Sequence, residues 1–105
     1  MATEEVIELL KRYILLLNSE GISVKKAFLF GSYSVGMQND ASDIDLMIVS
    51  DKYDETDDVA IGKMWRLTKK VNTKIEPFLI GLKKFNTDDM SPLLASIKQN
   101  GVVIV

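Results

Sequence analysis

Between Ala27 and Val49 the chain reads AFLFGSYSVGMQNDASDIDLMIV, and this stretch leaves few architectures open. Ala27–Phe30 is an apolar run too short for a helix, cut off by Gly31-Ser32. Ser42 then leads into Asp43, Ile44 and Asp45, followed by Leu46–Val49, whose branched apolar residues suit a buried strand. Side chains alternate along a strand, so Asp43 and Asp45 share one face while Ile44 takes the other. Two carboxylates side by side at the mouth of an apolar strand repel each other and lose hydration. Such a pair is kept most readily around a cation. Oxygen-only ligands favour a hard ion such as Mg²⁺, which uses one or two protein carboxylates and completes its shell with water and substrate phosphates.

The remaining chemistry is narrowed by what the composition lacks. There is no cysteine, which excludes disulfides, zinc–thiolate sites and thiol catalysis and fits a cytoplasmic protein. There is no histidine either, so carboxylates must carry any acid–base or metal chemistry. The formal net charge of -2 gives no support to broad nucleic-acid capture. No basic-then-apolar leader opens the chain, and no apolar run approaches membrane-spanning length. With 105 residues, 47% hydrophobic and 27% charged, residues 1–105 fit one folded domain with one core.

Around the central stretch, helical and extended segments alternate. Thr3 suits an N-cap, with Glu4 and Glu5 at the positive end of the helix dipole. Val6, Leu9, Leu10, Tyr13, Ile14, Leu16 and Leu17 recur at helical spacing, and Asn18–Gly21 stops the helix. Leu15 falls opposite the stripe and hints at a partner surface. Ser34–Ala41 is polar and interrupted by Gly36, which predicts a short helix from about Ser32 and then a loop. Asp51–Asp58 holds five acids in eight residues; a solvated loop that starts the next helix is favoured over a second cation site. That helix spans about Asp57–Asn72, with Ala60, Met64, Leu67, Thr68 and Val71 inward and Lys63, Arg66, Lys69 and Lys70 outward. Trp65 lies at the boundary of the two faces.

Lys74–Gly81 reads as a strand whose Pro77 places it at an edge or breaks it. Glu76 stands inside this apolar run and needs a reason: pairing with a lysine such as Lys74, or joining the aspartates at a shared metal site. Pro92 opens a helix to about Gln99, and Val102–Val105 forms a last short strand.

Gly31-Ser32 after a strand, Gly36, and Ser42-Asp43-Ile44-Asp45-Leu46 opening the next strand together resemble the nucleotidyltransferase superfamily that includes DNA polymerase β, and in particular its minimal nucleotidyltransferase (MNT) domains. The resemblance implies an α/β (α+β) fold, a mixed sheet of about four strands with helices packed on it. It implies transfer of a nucleoside monophosphate, AMP from ATP, to an acceptor, with Mg²⁺ as cofactor and two ions when substrate is bound. Asp43, Asp45 and Glu76 would be the catalytic and metal-binding carboxylates, and Gly31 and Ser32 the nucleotide-binding turn. It also implies a partner, a HEPN-domain toxin that the MNT protein adenylylates as antitoxin; a catalytically silent subunit that masks its partner is the alternative. A homo-oligomer is left open. Many MNT domains carry arginine after Gly-Ser, whereas here Tyr33-Ser34-Val35 follows and no basic residue precedes Ser42.

Overall fold

Apolar spacing in the first helix decides how the layers form. The computed structural model describes residues 1–39 and 41–105. Its first helix, α1 (Thr3–Ser19), buries Val6, Leu10, Tyr13, Ile14 and Leu17 along one stripe. After it come β1 (Lys26–Phe30), a 3₁₀ turn (Gly31–Tyr33), β2 (Ile44–Ser50), α2 (Asp58–Thr68), β3 (Ile75–Gly81), α3 (Leu82–Thr87), α4 (Pro92–Asn100) and β4 (Val102–Val103).

The four strands form one mixed sheet in the order β3-β2-β1-β4. β1 runs antiparallel to β2 and to β4, whereas β2 and β3 are parallel and joined through α2. A parallel pair needs such a crossover, and a helix is the usual one. Alternation then sorts the side chains into two layers. Ala27 and Leu29 of β1, Ile44, Leu46 and Ile48 of β2, and Ile75 and Leu79 of β3 pack with the buried stripes of α1 and α2. On the other face Met47, Val49 and Ile80 pack with Phe85 of α3 and Leu94 and Ile97 of α4. Fully buried leucines and isoleucines such as Leu46 and Ile48 each contribute about 1.5–3 kcal/mol. Asp45 and Glu76 belong to the second face by the same alternation. They stay half-buried at the end opposite Val49 and Ile80.

Several boundaries differ from the sequence expectations, each for a local reason. Ala2 rather than Thr3 occupies the N-cap of α1, its N–H donating to Glu5 Oε1 at 3.3 Å. No α-helix starts at Ser32: Gly31 has φ +75° and Gly36 φ +72°, and the chain closes a 3₁₀ turn instead. Asp40, in the loop expected there, lies outside the described residues. α2 ends at Thr68 rather than near Asn72. Beyond it, Lys69, Lys70 and Val71 donate to carbonyls three residues back, at 3.3, 3.1 and 3.0 Å, as tightening final turns do. Asp57 caps α2 by accepting from the Ala60 N–H at 3.0 Å, and Asp54 accepts from the Thr56 N–H at 2.8 Å. Glu55 pairs with Lys84 at 3.1 Å, so the acidic run serves as a capped, solvated loop. Pro77 lies on an edge strand, as its missing N–H requires. β4 is two residues long, although Ile104 N–H continues the pairing to the Ala27 carbonyl at 2.8 Å. α3 has no counterpart in the sequence reading. Among the described residues no helix is long and apolar enough to cross a membrane.

The buried Tyr13 hydroxyl donates to the Met64 carbonyl at 2.8 Å, the one polar tie between α1 and α2 that needs a hydroxyl. Burial pushes its ionisation far up, so it stays a donor. Tyr13→Phe is expected to cost about 1 kcal/mol, read in thermal unfolding as a fall of about 4–8 °C. An unchanged midpoint would show that this contact does not help hold α1 on α2.

Candidate active site

Strand pairing brings the sequence-predicted acids together. Asp45 on β2 stands in register with Glu76 on β3, and on its other side with Phe30 on β1. Asp43 is exposed, two residues before Asp45 and just outside the strand. The Glu76 carboxyl hydrogen-bonds with both Asp45 and Asp43. All three acids therefore meet at one end of the face that α3 and α4 only partly cover.

Gly31 follows Phe30 and lies against the Asp45 carboxylate. A Cβ at position 31 would run into Asp45 Oδ2, and the left-handed φ of +75° further restricts the position to glycine. The turn is tied off locally: the Gly31 carbonyl accepts from Ser34 Oγ at 2.9 Å and from the Ser34 N–H at 3.1 Å. Ser32 is half-buried beside it, and Tyr33 is buried in the core and anchors the turn from below. The turn has no α-helix behind it to add a dipole. What Gly31 and Ser32 offer a phosphate is close backbone approach and a hydroxyl.

The electrostatics are those of clustered, partly buried acids. Burial raises the Asp45 carboxyl above the ordinary range, and the charge of Asp43 adds to the rise, while the hydrogen bond from Glu76 opposes it. Glu76 is raised first by burial, then by its hydrogen bond to Asp45 and by repulsion from both aspartates. Asp45 and Glu76 therefore titrate as a pair, both held above the ordinary carboxylate range. Lys11–Glu8, Lys25–Asp51 and Lys84–Glu55 pair at 3.8, 3.9 and 3.1 Å, on other acids. Among the described residues, no group of three or more Asp, Glu, His or Cys side chains is placed to hold a metal ion by itself. The donor set fits Mg²⁺ all the same, because that ion takes only one or two protein carboxylates and draws the rest from water and phosphate. A cation between them would favour the charged carboxylates and so oppose the rise.

A model of the polymerase beta nucleotidyltransferase family matches residues 4–105. The chain belongs to that family. Solved structures share its fold. A provisionally assigned nucleotidyltransferase from Sulfolobus solfataricus superposes with a TM-score of 0.65 at 16% identity, over 96% of this chain and 80% of its own. A toxin–antitoxin with AMP-PNP gives 0.60 at 23%, over 90% and 72%. The toxin–antitoxin MntA-HpeT, in a doubly aspartate-to-glutamate-substituted form, gives 0.57 at 20%, over 100% and 73%. No curated protein sequence matches significantly.

For a nucleotidyltransferase-family domain, one part of this face escaped the sequence reading. Phe30 and Phe78 meet edge-to-face, centroids 5.4 Å apart at 62°, directly beside the acids. The signal was available: Phe78 lies two residues from Glu76, hence on the same face.

Because Asp45 and Glu76 are both raised, the folded state binds more protons than the unfolded one as pH passes through the carboxylate range. Their contribution to stability is therefore lost as pH rises through the raised values. In metal-free buffer Asp45→Asn should melt a few degrees above wild type at neutral pH, with the gap closing on acidification below about pH 4. A variant that melts below wild type at neutral pH would refute the strained acidic pair.

Proposed function

We propose that this domain transfers a nucleoside monophosphate, AMP from ATP, to a hydroxyl acceptor, releasing pyrophosphate. The observation that carries the reading is the meeting of Asp43, Asp45 and Glu76 beside Gly31 and Ser32. Three oxygen-donor acids drawn together at the end of an apolar sheet make a costly arrangement for a surface with no task. The family match supports the transferase class.

In this reading Gly31 lets the backbone approach the triphosphate, and the Ser32 hydroxyl donates to a phosphate oxygen. Asp43 and Asp45 would hold Mg²⁺, and Glu76 would either share a second ion or take the proton from the acceptor hydroxyl. A carboxyl raised by burial is a better base near neutral pH than an ordinary glutamate. When bound, the ion would supply neutralisation of phosphate charge; the acceptor oxygen attacks the α-phosphorus and pyrophosphate leaves. Positioning and electrostatics supply most of the acceleration in such reactions.

The acceptor we propose is a protein, a HEPN-type toxin for which this domain is the antitoxin. Two of the structural neighbours are toxin–antitoxin complexes, one of them with AMP-PNP. In the other, the substituted aspartates stand two positions apart, the spacing of Asp43 and Asp45. The stretch from Tyr33 to Ala41, without lysine or arginine, favours a second reading: a silent antitoxin that neutralises its toxin by masking it.

Incubation with ATP, Mg²⁺ and the protein encoded beside it separates the two. Intact-mass measurement should find the neighbour heavier by one adenylate, and Asp43→Asn with Asp45→Asn should abolish the increment while the complex still forms. A stable complex whose neighbour keeps its original mass would leave masking as the function.

A further inference from the structure

Phosphate chemistry uses the acids and the glycine turn but leaves the adjoining aromatic pair without a task. Glu76 and Phe78 rise from the same face of β3, about 6.6 Å apart along the strand. Phe30 stands across β2 in register with Asp45, and Phe78 stands in register with Met47. Their edge-to-face contact at 5.4 Å therefore bridges β2 just beyond the acids. Phe78 is nonetheless 40% exposed. An aromatic ring held in place by a neighbouring ring, yet open to solvent, can take another planar ring with little further loss of freedom. Phe30 immediately precedes Gly31, so the ring pair adjoins the turn at which the phosphates would lie.

We infer that Phe78 is a positioning residue on which the nucleobase of the triphosphate stacks, braced by Phe30; this rests on the nucleotide-transfer reading above. Charge argues for the same assignment. With no basic residue between Ser32 and Ser42, the triphosphate loses a strong bidentate contact at this turn. Stacking on a ring changes affinity by about tenfold to a hundredfold, which is enough to restore a usable grip. Stacking also tolerates any base, so Phe78 sets how tightly and at what angle the nucleotide lies rather than which base is chosen.

Calorimetric titration of the folded protein with a Mg²⁺-bound non-hydrolysable ATP analogue and with Mg²⁺-tripolyphosphate, which has no base, tests this directly. Phe78→Ala and Phe78→Leu, the second keeping apolar bulk without a ring, should each bind the nucleotide at least about tenfold more weakly than wild type. Both should bind tripolyphosphate as wild type does, and Phe78→Tyr should behave like wild type toward both ligands. Equal weakening toward the two ligands would reduce Phe78 to a structural prop, and unchanged nucleotide binding would hand the ring to a protein contact; either result overturns the inference while the transfer reading stands. Wild-type protein that binds neither ligand overturns both.

Discussion

Mutual repulsion among Asp43, Asp45 and Glu76 is the constraint around which the rest of the structure is arranged. Partial burial at the margin of an apolar layer raises the proton affinity of Asp45 and Glu76, and repulsion from neighbouring carboxylates raises it further. The parallel pairing of β2 with β3 makes the approach unavoidable. Once Leu46 lies opposite Pro77 and Ile48 opposite Leu79, Asp45 must lie opposite Glu76. A slip of one residue would relieve the acids but would turn every core side chain of β3 to the wrong layer. The buried apolar residues therefore enforce an arrangement that the acids alone would not adopt.

Glycine completes the enforcement at the neighbouring strand. β1 delivers the chain to Gly31 directly beside Asp45, where a larger residue would collide with the carboxylate. The same face carries two kinds of surface. Its Val49–Ile80 end is sealed by α3 and α4 through Phe85, Leu94 and Ile97, with Phe28 stacked on Phe85 at 5.3 Å. Its other end stays open and holds the acids and the exposed Phe78. A sheet with one face fully covered and the other half covered offers a rigid floor with room above it for a substrate and a second macromolecule.

Much of this was legible in the residues because it rests on local patterns. Apolar runs ending in Gly31-Ser32 and Gly81 mark strands, the helical stripe of α1 is strongly periodic, and Asp43-x-Asp45 announces its own face. Glu76 stood out because an acid in an apolar strand is rare. Other features depend on contacts between residues distant in sequence or on pieces too short for a period to show. The six residues of α3 carry less than two turns of pattern, and the 3₁₀ turn at Gly31 follows from backbone angles that Tyr33 and Ser34 do not advertise. The apposition of Asp45 and Glu76, and the bridge from Phe30 to Phe78, arise only when β1, β2 and β3 lie side by side.

Anomalous diffraction from crystals grown with Mn²⁺ and a non-hydrolysable ATP analogue addresses the central claim most directly. The account predicts a manganese peak at the carboxylates of Asp43 and Asp45, with the nucleotide phosphates beside Gly31. A nucleotide bound elsewhere on the molecule, or manganese absent from these aspartates, would contradict it.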